Sequence, residues 1–125
     1  MGRRLLVGRR VDGDAAVPDD RRMGIPVEVV ENTAENRFEA REPGTGRVMG
    51  FSLYQVVEGY VVFLHTETTP ADEGKGVASA LVAGAVDQLR ASGRRGVALC
   101  PYVRAWLKRH LDAADVVGLA MPSAR

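Results

Sequence analysis

Glu73-Gly74-Lys75-Gly76-Val77-Ala78-Ser79 is the stretch of this sequence best suited to chemistry. Gly74 and Gly76 let the backbone approach a ligand with no side chain intervening. A helical apolar period starts directly after them, so unpaired amides and the positive end of a helix dipole face one point. Such a junction suits an anion, and a pyrophosphate above all. Lys75 adds a charge without being essential to that logic. A Walker A loop needs four residues between its first Gly and a Gly-Lys-Ser/Thr, and the dinucleotide fingerprint needs three glycines opening a βαβ unit; neither is present. A plain glycine-rich strand-to-helix turn would use the same residues, so the loop by itself argues only for an anion site.

Two further groups bracket it. Cys100-Pro101-Tyr102 follows a short apolar run, and His65-Thr66-Glu67 ends a longer one. Ligands of open sheets gather at the carboxyl ends of parallel strands, where the strand order switches, so both groups should border one site. A thiol beside a helix N-terminus has its thiolate favoured, yet free cysteine is equally at home as a small buried hydrophobe capping a strand. His65 reads more readily as a strand residue with a satisfied hydrogen bond than as a catalyst. One cysteine and two histidines without ligand spacing give no metal site, and no Gly-x-Ser-x-Gly elbow supports a serine nucleophile. Arg90, Arg94, Arg95, Arg104, Lys108 and Arg109 read mainly as solvated faces, with some able to meet phosphates.

The elements that must position these groups follow from the pattern. Val27–Asn32 and Arg37–Arg41 read as hairpin strands about a polar turn, and a third strand lies within Val48–Val57 after the turn Pro43-Gly44-Thr45-Gly46. Glu58-Gly59 turns the chain into Tyr60–Glu67, whose near-continuous apolar run predicts a central strand buried on both faces. Val77, Leu81, Val82, Ala85, Val86 and Leu89 recur at helical spacing, with Gly93 as a left-handed stop. Val97–Cys100 reads as a fifth strand, parallel to the fourth through a right-handed crossover. Pro101 opens a second helix running to about Arg109. The fold class is therefore α+β: an antiparallel four-strand meander, then helix, parallel fifth strand and second helix.

Length and composition bound the rest. A chain of 125 residues with a formal net charge of +1 is expected to form one domain, with no global pull toward nucleic acid or a membrane. Residues 1–25 are rich in Arg, Asp, Gly and Pro without any period and read as a disordered extension. The domain is expected over 26–112, and 113–125 forms a tail of indeterminate structure. No apolar run reaches signal-peptide or membrane-spanning length; with a single cysteine, a cytoplasmic location is expected.

The order of these elements resembles the GNAT superfamily of acetyl-CoA-dependent acyltransferases. Their pyrophosphate motif, Gln/Arg-x-x-Gly-x-Gly/Ala, is similar to Glu73-Gly74-Lys75-Gly76-Val77-Ala78, with Glu73 departing from it. His65-Thr66-Glu67, the stretch from Glu73 to Val82, and Cys100-Pro101-Tyr102-Val103 with Arg109-His110 resemble a small, single-domain GNAT-like N-acetyltransferase subgroup. The subgroup commonly continues its His with Pro-Glu-Tyr, where this chain has Leu111-Asp112. The resemblance spans roughly Val27 to His110. It implies a minimal acetyltransferase fold lacking the two helices that usually follow the first strand, and hence an open acceptor side.

The resemblance also implies acetyl-CoA as co-substrate. The pantetheine arm would pair near Thr66 and Glu67, the pyrophosphate would sit on Gly74, Lys75, Gly76, Val77, Ala78 and Ser79, and Tyr102 would border the coenzyme. Acetyl would pass to an amine of an unidentified acceptor. Tyr102 or Cys100 would serve as general acid and Glu67 or His65 would deprotonate the amine; alternatively Cys100, considered catalytic in the subgroup, would carry the acetyl covalently. Glu73 is expected to turn away from the phosphates, leaving the amides to bind them. A non-catalytic acyl-CoA-binding module remains the alternative class. No metal, nucleic acid or membrane partner is expected.

Overall fold

The computed structural model describes residues 26–122 and, of the preceding segment, the backbone of Leu5–Leu6. The expectation of disorder for the remainder of 1–25 lies outside the described residues.

Strands β1 (Leu5–Leu6), β2 (Glu28–Asn32), β3 (Arg37–Arg41), β4 (Val48–Val57) and β5 (Tyr60–Thr68) precede helix α1 (Val77–Ser92). Strand β6 (Gly96–Ala98), helix α2 (Pro101–Lys108) and strand β7 (Val117–Gly118) complete the chain. All seven strands form one sheet in sequential order, antiparallel through β5 and parallel from β5 to β7. The four-strand meander, the crossover helix, the parallel strand and the second helix stand as expected. The pairing of β1 with β2 and of β7 with β6 was not legible, because each is two residues long and carries no alternation.

Helix α1 lies across one face of the sheet. Its Val77, Leu81, Val82, Ala85, Val86 and Leu89 join Val29, Phe38, Ala40, Tyr54, Val61 and Phe63 in one apolar cluster, which Val103, Trp106 and Leu107 of α2 extend. The approach is close: a Cβ on Gly84 would stand 2.5 Å from Val29 Cγ2. One turn on, Gln88 is buried and its Nε2 donates to the Val29 carbonyl at 2.7 Å, so β2 is fixed to α1 by contact and by hydrogen bond. Gly93 ends α1 in the left-handed conformation, as its position predicts.

The central strand departs from expectation in its second half. Val61, Val62 and Phe63 are buried, whereas Leu64, His65 and Glu67 are exposed. The cause is a bulge. Tyr54 opposes Phe63 and Leu53 opposes His65, which leaves Leu64 without an opposite residue and reverses the side-chain alternation beyond it. Pairing of β5 with β6 ends at Phe63 opposite Ala98, and the Leu99 and Cys100 amides both donate to the Phe63 carbonyl at 2.9 Å. Beyond that point β5 continues beside β4 to Thr68 while the other chain turns into α2. The two parallel strands therefore part at the level of Leu64, with no switch in strand order.

Candidate active site

The parting strands open a cleft of about 680 Å³, within the range of small-molecule sites. One wall is Thr66, Glu67 and Thr68 of β5, whose edge toward α2 has no strand partner beyond Phe63 among the described residues. The floor is the segment from Pro70 to Ser79, and Tyr102 closes the side toward α2.

A 3-10 turn, Pro70–Asp72, leads into the loop. Gly74 and Gly76 each hold φ of 82°, and Gly76 is the left-handed residue immediately before α1. The glycines are needed for backbone conformation rather than for room at Gly74, where a Cβ would meet nothing within 4 Å. Gly74, Gly76 and the first turn of α1, Val77 to Ser79, thus border the cleft, where a helix start would meet an anion.

Asp72 anchors this loop from beneath. It is completely enclosed, and its carboxylate accepts two hydrogen bonds from Arg47, at 2.8 and 3.1 Å, another from the Thr69 hydroxyl, and one from Lys75 Nζ at 3.4 Å. The Arg47 guanidinium, with the Thr69 hydroxyl, holds the Asp72 carboxyl well below the usual carboxylate range. Arg47 comes from the turn before β4, so the loop is tied to the meander. Sequence reasoning missed both residues; the Asp72–Lys75 spacing was the one available trace.

The expected site residues divide. Thr66, Glu67, Gly74, Gly76, Val77, Ala78, Ser79 and Tyr102 all line the cleft. Lys75 is not among the lining residues; its ammonium pairs with Asp72. Glu73, expected to turn away, is exposed and does belong to the lining. Cys100 is 2% exposed and outside the lining, with Sγ 3.4 Å from the Thr66 hydroxyl. Thr66 in turn lies 2.9 Å from the buried Ser52 hydroxyl, so the thiol ends a short polar chain running into the sheet. His65 and Glu67 sit on the exposed face of β5 with Nε2 3.0 Å from the carboxylate, and His65 is outside the lining.

On the α2 side, burial raises the Tyr102 phenol above its ordinary range, opposed by the charge of Arg109 and by the nearby Ser79 hydroxyl. The Trp106 indole donates to Ser79 Oγ at 3.1 Å, and the His110 ring stacks on Trp106 at 3.8 Å between centroids. Trp106 and Ser52 also escaped the sequence reading. Trp106 stands four residues after Tyr102 on one helix, a usable signal, whereas Ser52 meets Thr66 only through the sheet register.

Residues 37–116 match the family model described as GCN5-related N-acetyl-transferase. The chain belongs to that family. The N-acetyltransferase is thus an acyl-transferring enzyme whose matched region contains the whole cleft. Among solved structures it is similar to a Trypanosoma brucei acetyltransferase at 16% identity, over 100% of this chain and 95% of that one, with a TM-score of 0.36. No curated protein sequence matches. Among the described residues no three His, Cys, Asp or Glu side chains gather as a metal site, and no helix is long and apolar enough to cross a membrane.

Proposed function

We propose that the enzyme transfers acetyl from acetyl-CoA to an amine of an unidentified acceptor, directly and without an acyl-enzyme, as a member of the small single-domain subgroup that its motifs resemble. The observation that carries this reading is the cleft itself: an unpaired strand edge on one side, a run of amides at a helix start on the other, and a phenol between them. The amides from Gly74 to Ser79 fit the coenzyme's pyrophosphate, and the free edge of β5 near Thr66 and Glu67 fits the two amides of its pantetheine arm.

When bound, the coenzyme supplies a thioester whose carbonyl carbon an amine can attack. Backbone amides of β5 beyond Phe63, where pairing with β6 has ended, would stabilise negative charge on the acyl oxygen. Tyr102 gives its proton to the departing sulfur. Its position in the lining favours it over the enclosed Cys100 for that role. Glu67, exposed on the strand and hydrogen-bonded to His65, receives the proton lost by the amine, through water where the distance requires it. Direct transfer is favoured over the covalent route because, among the described residues, the hydrogen-bond neighbour of the Cys100 thiol is the Thr66 hydroxyl, which is not a base.

Incubation with labelled acetyl-CoA and a panel of amines tests this. Label should pass to an amine, Tyr102→Phe should lower kcat by about 100-fold, and Cys100→Ser should stay within about threefold. A stable mass gain on Cys100 with loss of turnover in Cys100→Ser would instead establish the covalent route. Binding without transfer to any amine would leave a non-catalytic acyl-CoA module.

A further inference from the structure

We infer that the acceptor carries a carboxylate, which Arg37 holds while the amine of the same molecule lies beside Glu67; this rests on the reading of the cleft as an acetyl-transfer site. Phe38 and Ala40 of β3 point into the apolar cluster shared with both helices. Arg37, Glu39 and Arg41 alternate with them and so emerge on the opposite face of the sheet. Register extends that face sideways. Glu67 lies opposite Phe51, and Phe51 opposite Glu39; His65 lies opposite Leu53, and Leu53 opposite Arg37. Directly opposed residues share a face. Glu67 and Arg37 therefore stand on one surface two strands apart, with on the order of 10 Å between their backbones.

Arg37 is fixed before any ligand arrives. Its Nε donates to Glu39 at 2.8 Å, and its guanidinium lies over the Phe51 ring, 4.7 Å from the centroid. Glu39 is buried, and Asn32 and Arg41 complete its hydrogen bonds, so this carboxylate anchors the cluster. Arg41 gives both Nε and a terminal nitrogen to Glu39, and has Glu28 opposite it in the register. Arg37 gives Nε alone. Among the described residues no hydrogen bond engages its two terminal nitrogens, and the side chain is 26% exposed. A guanidinium held at Nε, stacked on a ring and open at its far end is preorganised for an anion, and a carboxylate matches its fork.

The surface between the two ends is apolar, because half-buried Phe51 and Leu53 of β4 separate β3 from β5. Across the face the order is Glu67 with His65, then hydrocarbon, then guanidinium. A complementary acceptor has an amine, a run of methylene groups and a carboxylate, which is an ω-amino carboxylic acid. A polyamine would set a second cation against Arg37, and a plain alkylamine would leave it unpaired.

6-Aminohexanoate, n-hexylamine and 1,6-diaminohexane share a chain length and differ at the far end. With acetyl-CoA, kcat/KM should be about tenfold higher for 6-aminohexanoate than for n-hexylamine, and lowest for the diamine. Arg37→Met should bring the ratio of the first two to about one. Arg41→Gln also removes a partner of Glu39 but should keep the ratio, which separates recognition by Arg37 from a general loosening of the face. A second readout needs no turnover. The Arg37 Nε–H resonance, assigned by its loss in Arg37→Lys, should shift when 6-aminohexanoate is added and stay in place with n-hexylamine. If no amine is acetylated, the transfer reading fails and this resonance alone decides whether Arg37 takes a carboxylate. An unmoved resonance, a 6-aminohexanoate preference that is absent or survives Arg37→Met, or a preference for the diamine would overturn the inference.

Discussion

Asp72 is a charge with no exposure, and its partners explain why it is tolerated. The Arg47 guanidinium supplies two hydrogen bonds, Thr69 and Lys75 the others, so the carboxylate is satisfied where a lone one would be prohibitive. Its pKa is lowered on folding, first by Arg47, so the stability it contributes is complete above the ordinary carboxylate range and is lost as pH falls toward the lowered value. Asp72→Asn should therefore lower Tm by several degrees at neutral pH, with the gap to the wild type narrowing below roughly pH 4, a trend that melting curves across pH would check. It should also weaken coenzyme binding, because the Gly74–Gly76 turn loses its support. At this scale the sequence was informative about type and silent about pairing. Gly74, Gly76, Ser79 and Tyr102 could be placed from the loop and the proline-led helix. The Lys75–Asp72 pair, which removes Lys75 from the cleft lining, depends on an enclosure that spacing does not reveal.

Among the elements, β5 shows how one strand serves two purposes. Its first half is core, and its second half is a cleft wall, with the bulge at Leu64 as the change-over. The apolar run Tyr60–Leu64 made the strand legible, but a bulge is a property of the pairing between two strands and leaves no mark in one of them. Helix α1 was legible from its period, and the closeness of its seat was not. Gly84 is helical and would gain about 1 kcal/mol of propensity as Ala, yet the added methyl would meet both Cβ and Cγ2 of buried Val29 at 2.7 and 2.5 Å. Overpacking of that kind costs about 1–3 kcal/mol. Gly84→Ala should thus be destabilising by up to about 2 kcal/mol in denaturant unfolding, with an increase in stability contradicting the stated packing.

Across the whole molecule, polar ties join what the core alone would leave to slide. Arg94, just beyond α1, reaches Glu31 of β2 with two hydrogen bonds at 3.1 and 2.8 Å, and Tyr54 of β4 donates to the same carboxylate at 2.6 Å. Burial opposes the Glu31 charge, but Arg94 and Tyr54 outweigh it and its pKa falls. Arg47 and Asp72 tie the meander to the loop that carries Gly74 and Gly76. The meander–helix–strand order was readable because each element is long enough to show its period. The terminal pairings were not, since β1 and β7 are decided by the sheet edges they meet. Near-neutral net charge agrees with the proposed anion site, which would draw on amides at a helix start rather than on a basic surface.

Calorimetric titration of the full chain with acetyl-CoA shows whether the Gly74–Ser79 amides hold the coenzyme, as proposed. Saturable one-site binding is expected, displaced by free coenzyme A and weakened about tenfold or more in Gly76→Val, because a β-branched residue resists the left-handed backbone at φ 82°. Absence of heat and of any thermal shift at millimolar acetyl-CoA, or binding unaffected in a folded Gly76→Val, would contradict it.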